Sequence, residues 1–470
     1  TDASINKPLD SRNDSEIIIE TKTGLPVDSE DENSGGAGMI MNGLTVANTI
    51  MGAGTLTIPL AMKTYGIPLT IAILAGILVM TYFSVYLLLK VYQATGHTKY
   101  SHFAIACNGT AGKVVVECFI ILNNLGVSCA YLIIYGTGMP NIVKEATSDS
   151  FITNRVVLII IFAILFYPLS FAKKISALKY ASFLGVSSFL IFTVIVIERA
   201  FRRFDDGHEP SSQEVVDAHY SLEVFTVIPS LFLAFTFQFN VFPIYRSLNK
   251  ASVKRMMGTV GIGTSVCLVI YLLVGIFGFM IFLQDTKANI LKNFDDLFNK
   301  KDGDIILLNI SFVIAAVMGF PMLFFEFRNN SRSLFGTIYI AMNPTRRFSS
   351  IVSGSSVGSR GSIEEDPKGG KGRTIFGYKL AYLIHTTCVY IFCVFLAIVV
   401  PKLGIVFAFV GALGANSIAY IFPAYFYLKL TPGTMKEDKY KLPAAIMFVM
   451  GIVFAVVSVT AEIIQLAEQR

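Results

Sequence analysis

The chain has no Trp, only 5 His, and little charge: Asp, Glu, Lys and Arg make up 15% of its 470 residues. Soluble domains carry about 25% charged residues, so this scarcity excludes an ordinary soluble domain, a disordered chain and a nucleic-acid binder. The net charge of +6 is therefore no sign of a nucleic-acid partner. Without Trp, an interfacial aromatic belt falls to the 20 Tyr. The 6 Cys show no CxxC or Cys/His spacing, which predicts neither a zinc site nor a disulfide framework. Cys118, Cys129, Cys267, Cys388 and Cys393 lie in apolar stretches and Cys107 in a polar loop; they read as buried, inert thiols. No metal cluster and no pairing of nucleophile with base falls within the apolar stretches, so no catalytic residue and no enzyme activity are expected. His385, alone in its stretch, reads as a packing or hydrogen-bonded residue.

What the chain has is hydrophobicity: 54% of residues are apolar and the mean hydropathy is +0.63. A spanning helix needs about 20 apolar residues. Eleven such stretches are read, at about 39–62, 67–92, 114–142, 153–171, 177–200, 223–245, 257–283, 304–327, 376–400, 404–428 and 442–467. The expected fold is an all-α integral membrane protein. Residues 1–38, with 9 acidic against 3 basic residues, read as a disordered tail. The Ile17-Ile18-Ile19 run in it is an incidental apolar patch or a docking element. Residues 201–222 read as an extracytosolic loop, and 343–375 as a disordered, Ser/Gly-rich cytosolic linker. That linker holds Arg346-Arg347-Phe348-Ser349, a basic-then-Ser pattern compatible with phosphorylation. With a cytosolic N-terminus, the internal loops hold 23 of the 38 Lys and Arg, the outer side 12 and the tail 3. This bias favours that orientation. Arg199, Arg202 and Arg203 run against it, and the sequon at Asn108 then faces the cytosol and stays unused.

Two spans carry helix breakers at mid-depth. The first reads Asn48-Thr49-Ile50-Met51-Gly52-Ala53-Gly54-Thr55. Glycines permit unusual backbone and close approach, and a broken helix offers N–H groups to a carboxylate and carbonyls to a cation or ammonium. A close-packed seam of small residues is the structural alternative. The sixth span holds Gln238 and Asn240 in an aromatic run ending at Pro243, which frees a carbonyl one turn earlier. Interhelical hydrogen bonding is the alternative there. Breaks in spans five apart fit two five-helix repeats, 39–200 and 223–428, the second inverted, with an eleventh helix and C-terminus at 429–470. Weaker polar positions are Asn123, Asn124, Ser128 and Tyr131 in the third span, Ser311 in the eighth, and Asn416, Ser417 and Tyr420 in the tenth; each alone is expected to serve packing. Glu117, Glu198, Glu223, Glu326 and Glu462 fall toward span ends, so no carboxylate relay is expected at mid-bilayer and a small zwitterion suits the spans better than a charged side chain.

Asn48 to Gly54 resembles the first-helix motif of the amino acid/auxin permease family, in particular the "NAIVGSG" of its sodium-coupled neutral amino acid transporters. Pro243-Ile244-Tyr245, with Gln238 and Asn240 upstream, resembles their "HPEVLPIY". The resemblance covers about 39–465. It implies a LeuT-type fold that moves amino acids by alternating access at the unwound centres of the first and sixth spans. It also implies that Asn48 matches the asparagine of the sodium site. Those relatives carry Thr just before a proline in the eighth span; here Val317-Met318-Gly319-Phe320-Pro321 has no hydroxyl, so protons stand beside sodium as the coupling ion. The helix-six position that is His in those relatives is Gln238 and cannot titrate.

The expected substrate is a small neutral amino acid. Its carboxylate is assigned to N–H groups around Gly52–Thr55, with Thr49, Met51 and Ala53 in the same segment; its amino group is assigned to carbonyls before Gly52 and near Phe235–Gln238. Phe235, Phe239, Asn124 and Tyr131 are candidates for the side-chain pocket, and Asn48, Asn240 and Ser311 for ion binding or support. No cofactor is expected beyond the coupling ion. The expected partners are membrane lipid and, at the tail and linker, cytosolic regulators. The plasma membrane and the vacuolar or lysosomal membrane both fit. The other class of function compatible with the acidic tail is a nutrient sensor with little flux.

Overall fold

In a computed structural model, the residues described are 37–138, 154–171, 179–207, 223–298, 302–342, 374–375, 378–400 and 403–468. Ile17–Ile19, the Arg346–Ser349 pattern and most of the 201–222 and 343–375 segments lie outside them. The described chain is almost wholly helical. The helices are α1 (Met39–Ile50), α2 (Ile58–Tyr65), α3 (Ile67–Thr95), α4 (Tyr100–Gly138), α5 (Arg155–Phe166), α6 (Lys179–Asp205), α7 (Glu223–Ala234), α8 (Val241–Ser247), α9 (Val253–Phe282), α10 (Ile290–Leu297), α11 (Gly303–Met342), α12 (Leu380–Val399), α13 (Leu403–Phe409), α14 (Phe422–Leu430) and α15 (Lys441–Glu468). A short ladder pairs β1 (Thr374–Ile375) with β2 (Tyr378–Lys379) antiparallel.

Among the described residues, nine helical stretches are long and apolar enough to cross a membrane, and the bent first span makes a tenth. Arg155–Phe171, at the fourth expected span, is a shorter apolar helix, its last turn tightened at Pro168. Large apolar side chains stand exposed around the bundle, among them Val79, Ile164, Val194, Ile391 and Val456. In water such a surface would aggregate; against lipid it is the expected exterior. Cys118 and Cys388 share it, which corrects their reading as buried thiols; Cys107 is half-buried, and Cys129, Cys267 and Cys393 are buried.

Several elements outrun their apolar stretches. The third span continues back to Tyr100 through a break at Asn108 and Gly109, where Gly109 takes φ 63° and Tyr425 donates to Asn108 Oδ1 at 2.5 Å. Glu117 therefore sits about two turns past that break, near the start of the regular helical segment that runs on to Gly138. It is buried, lies 3.8 Å from the Lys113 ammonium and accepts from Ser333 at 2.6 Å. The eighth span extends to Met342, and its Arg328 is buried, donating to the Ser170 carbonyl at 2.6 Å. The fifth runs to Asp205, into the expected loop. There Arg199 pairs with Asp302 at 2.8 Å and with Asp304, and Arg202 pairs with Glu198, so much of the discordant charge is neutralised locally. Thr374–Ile375 is strand within the expected linker. Ala37, expected in the tail, forms a parallel bridge with Leu248.

The core is built from α1, α9, α6 and α11 packed in sequence, with α4 along the far side of α11. Helix α7 lies against the tenth span and α15. The tenth span is itself irregular, with π-helical turns over Val410–Ala415 and Ser417–Ile421. Its Asn416 donates to the Gly451 carbonyl of α15 at 2.7 Å, and Tyr420 meets Thr81 at 3.0 Å, so these two polar residues join helices. His385 meets Ser331 at 2.9 Å and likewise joins helices.

Candidate functional site

The first span breaks where its sequence supplies glycine. Helix α1 ends at Ile50, and Ala53–Thr57 forms a 3-10 turn that leads into α2 at a bend of 56°. Only the Met51 N–H returns to α1, to the Ala47 carbonyl at 2.7 Å, leaving the later carbonyls of α1 beyond the helical ladder. The first bond of the new turn is Thr55 N–H to the Gly52 carbonyl, 3.0 Å. Thr55 is thus spent on the turn, and the N–H groups of Ala53 and Gly54 precede its ladder. The sixth span breaks the same way: α7 ends at Ala234, Gln238–Asn240 is a 3-10 turn, and α8 follows from Val241.

The two breaks meet. A Cβ on Gly54 would stand 3.0 Å from Cα and Cβ of Ala234, so glycine lets the chains cross there without crowding. Both readings of Gly54, seam and break, thus hold at one residue. A Cβ on Gly52 would stand 2.5 Å from the Tyr131 hydroxyl oxygen, which also lies against the Ala53 backbone. Tyr131, expected in the side-chain pocket, therefore puts its hydroxyl at the broken backbone. Gly319 of the eighth span borders the same hydroxyl, 3.3 Å from its own would-be Cβ.

Asn48 lies one turn before the break, buried, with neither side-chain polar atom hydrogen-bonded. Its Oδ1 is 2.0 Å from where a Cβ on Gly185 would be, and Met318 borders the same point. Helices one, five and eight therefore converge on an amide oxygen with no donor. A buried amide left this way costs about 1–3 kcal/mol; a bound cation or water would satisfy it. Met318 and Gly319 bring no side-chain oxygen to it.

The remaining candidates divide. Gln238 is committed locally: its Oε1 accepts the Phe237 N–H at 2.9 Å and its Nε2 reaches Ser84 at 3.3 Å, which braces the sixth-span break. Ser128 donates to the Asn124 carbonyl at 2.7 Å and Thr49 to the Thr45 carbonyl at 2.7 Å, each within its own helix. Ser311 likewise donates to Leu308 at 2.8 Å; it stands two turns, about 10 Å, from Met318 along α11, and is not brought to Asn48. Asn240 is buried with both amide atoms unpaired, and Asn124 with its Nδ2 unpaired. Met51, Phe235 and Phe239 are buried, and Phe235 sets its ring edge-on to Tyr271, 5.3 Å between centroids. Tyr271 and Gly185 are not singled out by sequence: neither interrupts a span, and both act through what lies opposite them.

Above the breaks a cavity of about 550 Å³ opens among Thr57, Leu60, Ser230, Asn289, Phe407 and Glu462. Thr57 and Ser230 lie within about one turn of Gly54 and Ala234, so the cavity stops just short of the point where the helices cross.

Two broken helices crossing inside an apolar bundle is an arrangement of the kind found in membrane transporters. The architecture is shared with a solved nucleobase-cation-symport-1 family transporter in a closed conformation with bromovinylhydantoin bound: TM-score 0.52, 11% identity, 93% of this chain and 94% of that one. This is the LeuT-type fold. Residues 35–464 match the sequence profile of the family "Transmembrane amino acid transporter protein", and the chain belongs to that family. It is 26% identical to amino acid transporter AVT6E of Arabidopsis thaliana over 93% of this chain and 84% of that protein. It is 22% identical to sodium-coupled neutral amino acid symporter 2 of Danio rerio over 89% of this chain and 80% of that protein. The resemblance drawn from residues 48–54 and 238–245 is thereby established as family membership.

Proposed function

We propose that this protein is a secondary active transporter of small neutral amino acids, working by alternating access. The observation that carries this reading is the crossing of the two helix breaks at Gly54 and Ala234. That crossing sets N–H groups of one half-helix and the carbonyl ends of two others at one buried point. The substrate carboxylate takes the N–H groups of Ala53 and Gly54, displacing the Tyr131 hydroxyl from the Ala53 backbone. The amino group takes the carbonyl ends of α1 and α7. Met51, Phe235, Phe239 and Asn124 surround the side chain. No countercharge is needed, because helix ends supply the partial charges a zwitterion requires.

The coupling cation sits at Asn48, whose unpaired amide oxygen supports this assignment. Relatives named as sodium-coupled favour sodium; the missing hydroxyl at 317–320 favours protons. The chain crosses the membrane eleven times with its N-terminus in the cytosol, Arg155–Phe171 being the short fourth crossing, and is built as five helices, five inverted and one added. It resides in the plasma membrane or a vacuolar or lysosomal membrane.

The test is uptake of a labelled neutral amino acid mixture into proteoliposomes under an imposed sodium gradient and, separately, a pH gradient. Accumulation under either gradient supports the reading and identifies the ion. Equilibration without accumulation under both would exclude coupled transport.

A further inference from the structure

Helix α9 carries one group that serves both breaks. Tyr271 is fully buried, and its hydroxyl oxygen lies 2.7 Å from the Ala234 carbonyl oxygen and 3.1 Å from that of Ile50. Ile50 and Ala234 are the last residues of α1 and α7. Their carbonyls are therefore among those a helix end leaves without an N–H partner. One turn earlier on α9, the Cys267 thiol faces the Ala47 carbonyl at 3.6 Å. The edge-on ring of Phe235, the residue that follows Ala234, holds the tyrosine ring in place.

The geometry has a consequence for the amino group. A phenol has one proton and can donate to only one of two carbonyls at a time. It is closer to Ala234, so the Ile50 oxygen is held at the same point with acceptor capacity unspent. Each carbonyl has two lone pairs, so both can still accept from a second donor beside the phenol. A primary ammonium brings three donors and suits two acceptors converging on one spot.

We infer that Tyr271 is a positioning residue. It ties the C-terminal carbonyls of the two broken helices to one oxygen and so sets the receptor for the substrate's protonated amino group. This rests on the breaks being the substrate site. It acts through the carbonyls and requires no contact between its own ring and the substrate.

The experiment uses the full chain in proteoliposomes, with labelled L-alanine, L-leucine and L-glutamine as probes. Tyr271→Phe keeps the ring and removes the bridge. Half-saturation is expected to rise about tenfold, with the maximum rate held within about twofold, because the loosened carbonyls weaken capture of the amino group. Unchanged half-saturation, or a maximum rate that falls as far as half-saturation rises, overturns the proposal. Should Tyr271→Phe not fold, Phe235→Leu keeps the hydroxyl but frees the ring, and a smaller rise, equal for L-alanine and L-leucine, is expected because both present the same amino group; no rise, or a rise confined to L-leucine that reports the side-chain pocket alone, overturns the proposal. Gly52→Ala separates the two levels. If it raises half-saturation while Tyr271→Phe does not, only the role of Tyr271 fails. If neither does, or the parent protein takes up none of the three probes, the site itself fails and the proposal with it.

Discussion

At the residue scale, the site is governed by what glycine leaves room for. Gly52 faces a hydroxyl and Gly185 an amide, each at a distance a methyl group could not share, and Gly54 faces a neighbouring helix that a methyl group would crowd. Gly52→Ala is expected to push the Tyr131 hydroxyl off the Ala53 backbone, at the cost of about 1–3 kcal/mol typical of overpacking, and to reduce uptake at least tenfold. Tyr131→Phe in the same chain removes the obstructing oxygen; the ring carbon behind it lies 3.5 Å from the new methyl position, an ordinary contact. Uptake by the double variant should therefore exceed that of Gly52→Ala alone. Equal or lower uptake by the double variant would show that the hydroxyl is not what the methyl disturbs. The sequence pointed to Gly52 and Gly54, because glycine beside a polar residue inside a span is visible without coordinates. It could not show Gly185 or Tyr271. Each stands in a regular helix, and each matters only through an atom brought opposite by packing.

At the scale of elements, legibility followed hydropathy. Apolar stretches located the spans, but α4 and α11 continue through Lys113, Glu117 and Arg328, whose charges lower hydropathy without ending a helix. The turns around these residues stay helical, and the charges find partners inside the protein: a Lys–Glu pair, a serine hydroxyl and a backbone carbonyl. The connector between α14 and α15 depends on the same chemistry. Lys441 donates to the carbonyls of Thr431 at 3.0 Å and Gly433 at 2.5 Å. Asp438 accepts from Tyr427 at 2.5 Å and from the Tyr440 N–H at 3.0 Å. Slight burial opposes the Asp438 charge, but the Tyr427 and Tyr440 hydrogen bonds with Lys441 and Lys90 nearby outweigh it and hold the carboxyl below its usual range. A carboxyl depressed in the folded state stabilises fully above the ordinary carboxylate range and loses that contribution as pH falls through its lowered value. Asp438→Asn should lower the melting temperature near neutral pH by about 1–2 °C and leave a shallower decline in acid. Melting curves of the detergent-purified protein at several pH values would check this; an identical acid limb in the two proteins would rule it out.

At the scale of the whole molecule, two features stand at opposite ends of the broken helices. At one end, Ala37 is held by backbone bonds to Ser247 at 2.9 Å and to Asn249 at 3.1 Å, tying the start of α1 to the end of α8. At the other lies the 550 Å³ cavity that ends at Thr57 and Ser230. Under the alternating access proposed above, the end tied through Ala37 is the side expected to be closed and the cavity end the side expected to be open.

That cavity also has an optical use. A chain with no Trp is dark wherever tryptophan is the fluorophore, so one introduced indole would report from a single place. Ile405 lines the cavity at the tip of the tenth span and is only half-buried. An Ile405→Trp variant should emit toward the red while the cavity is wet. On adding a transported amino acid with its coupling ion the emission should shift to the blue as water leaves. A spectrum indifferent to both would mean that this wall does not move during transport.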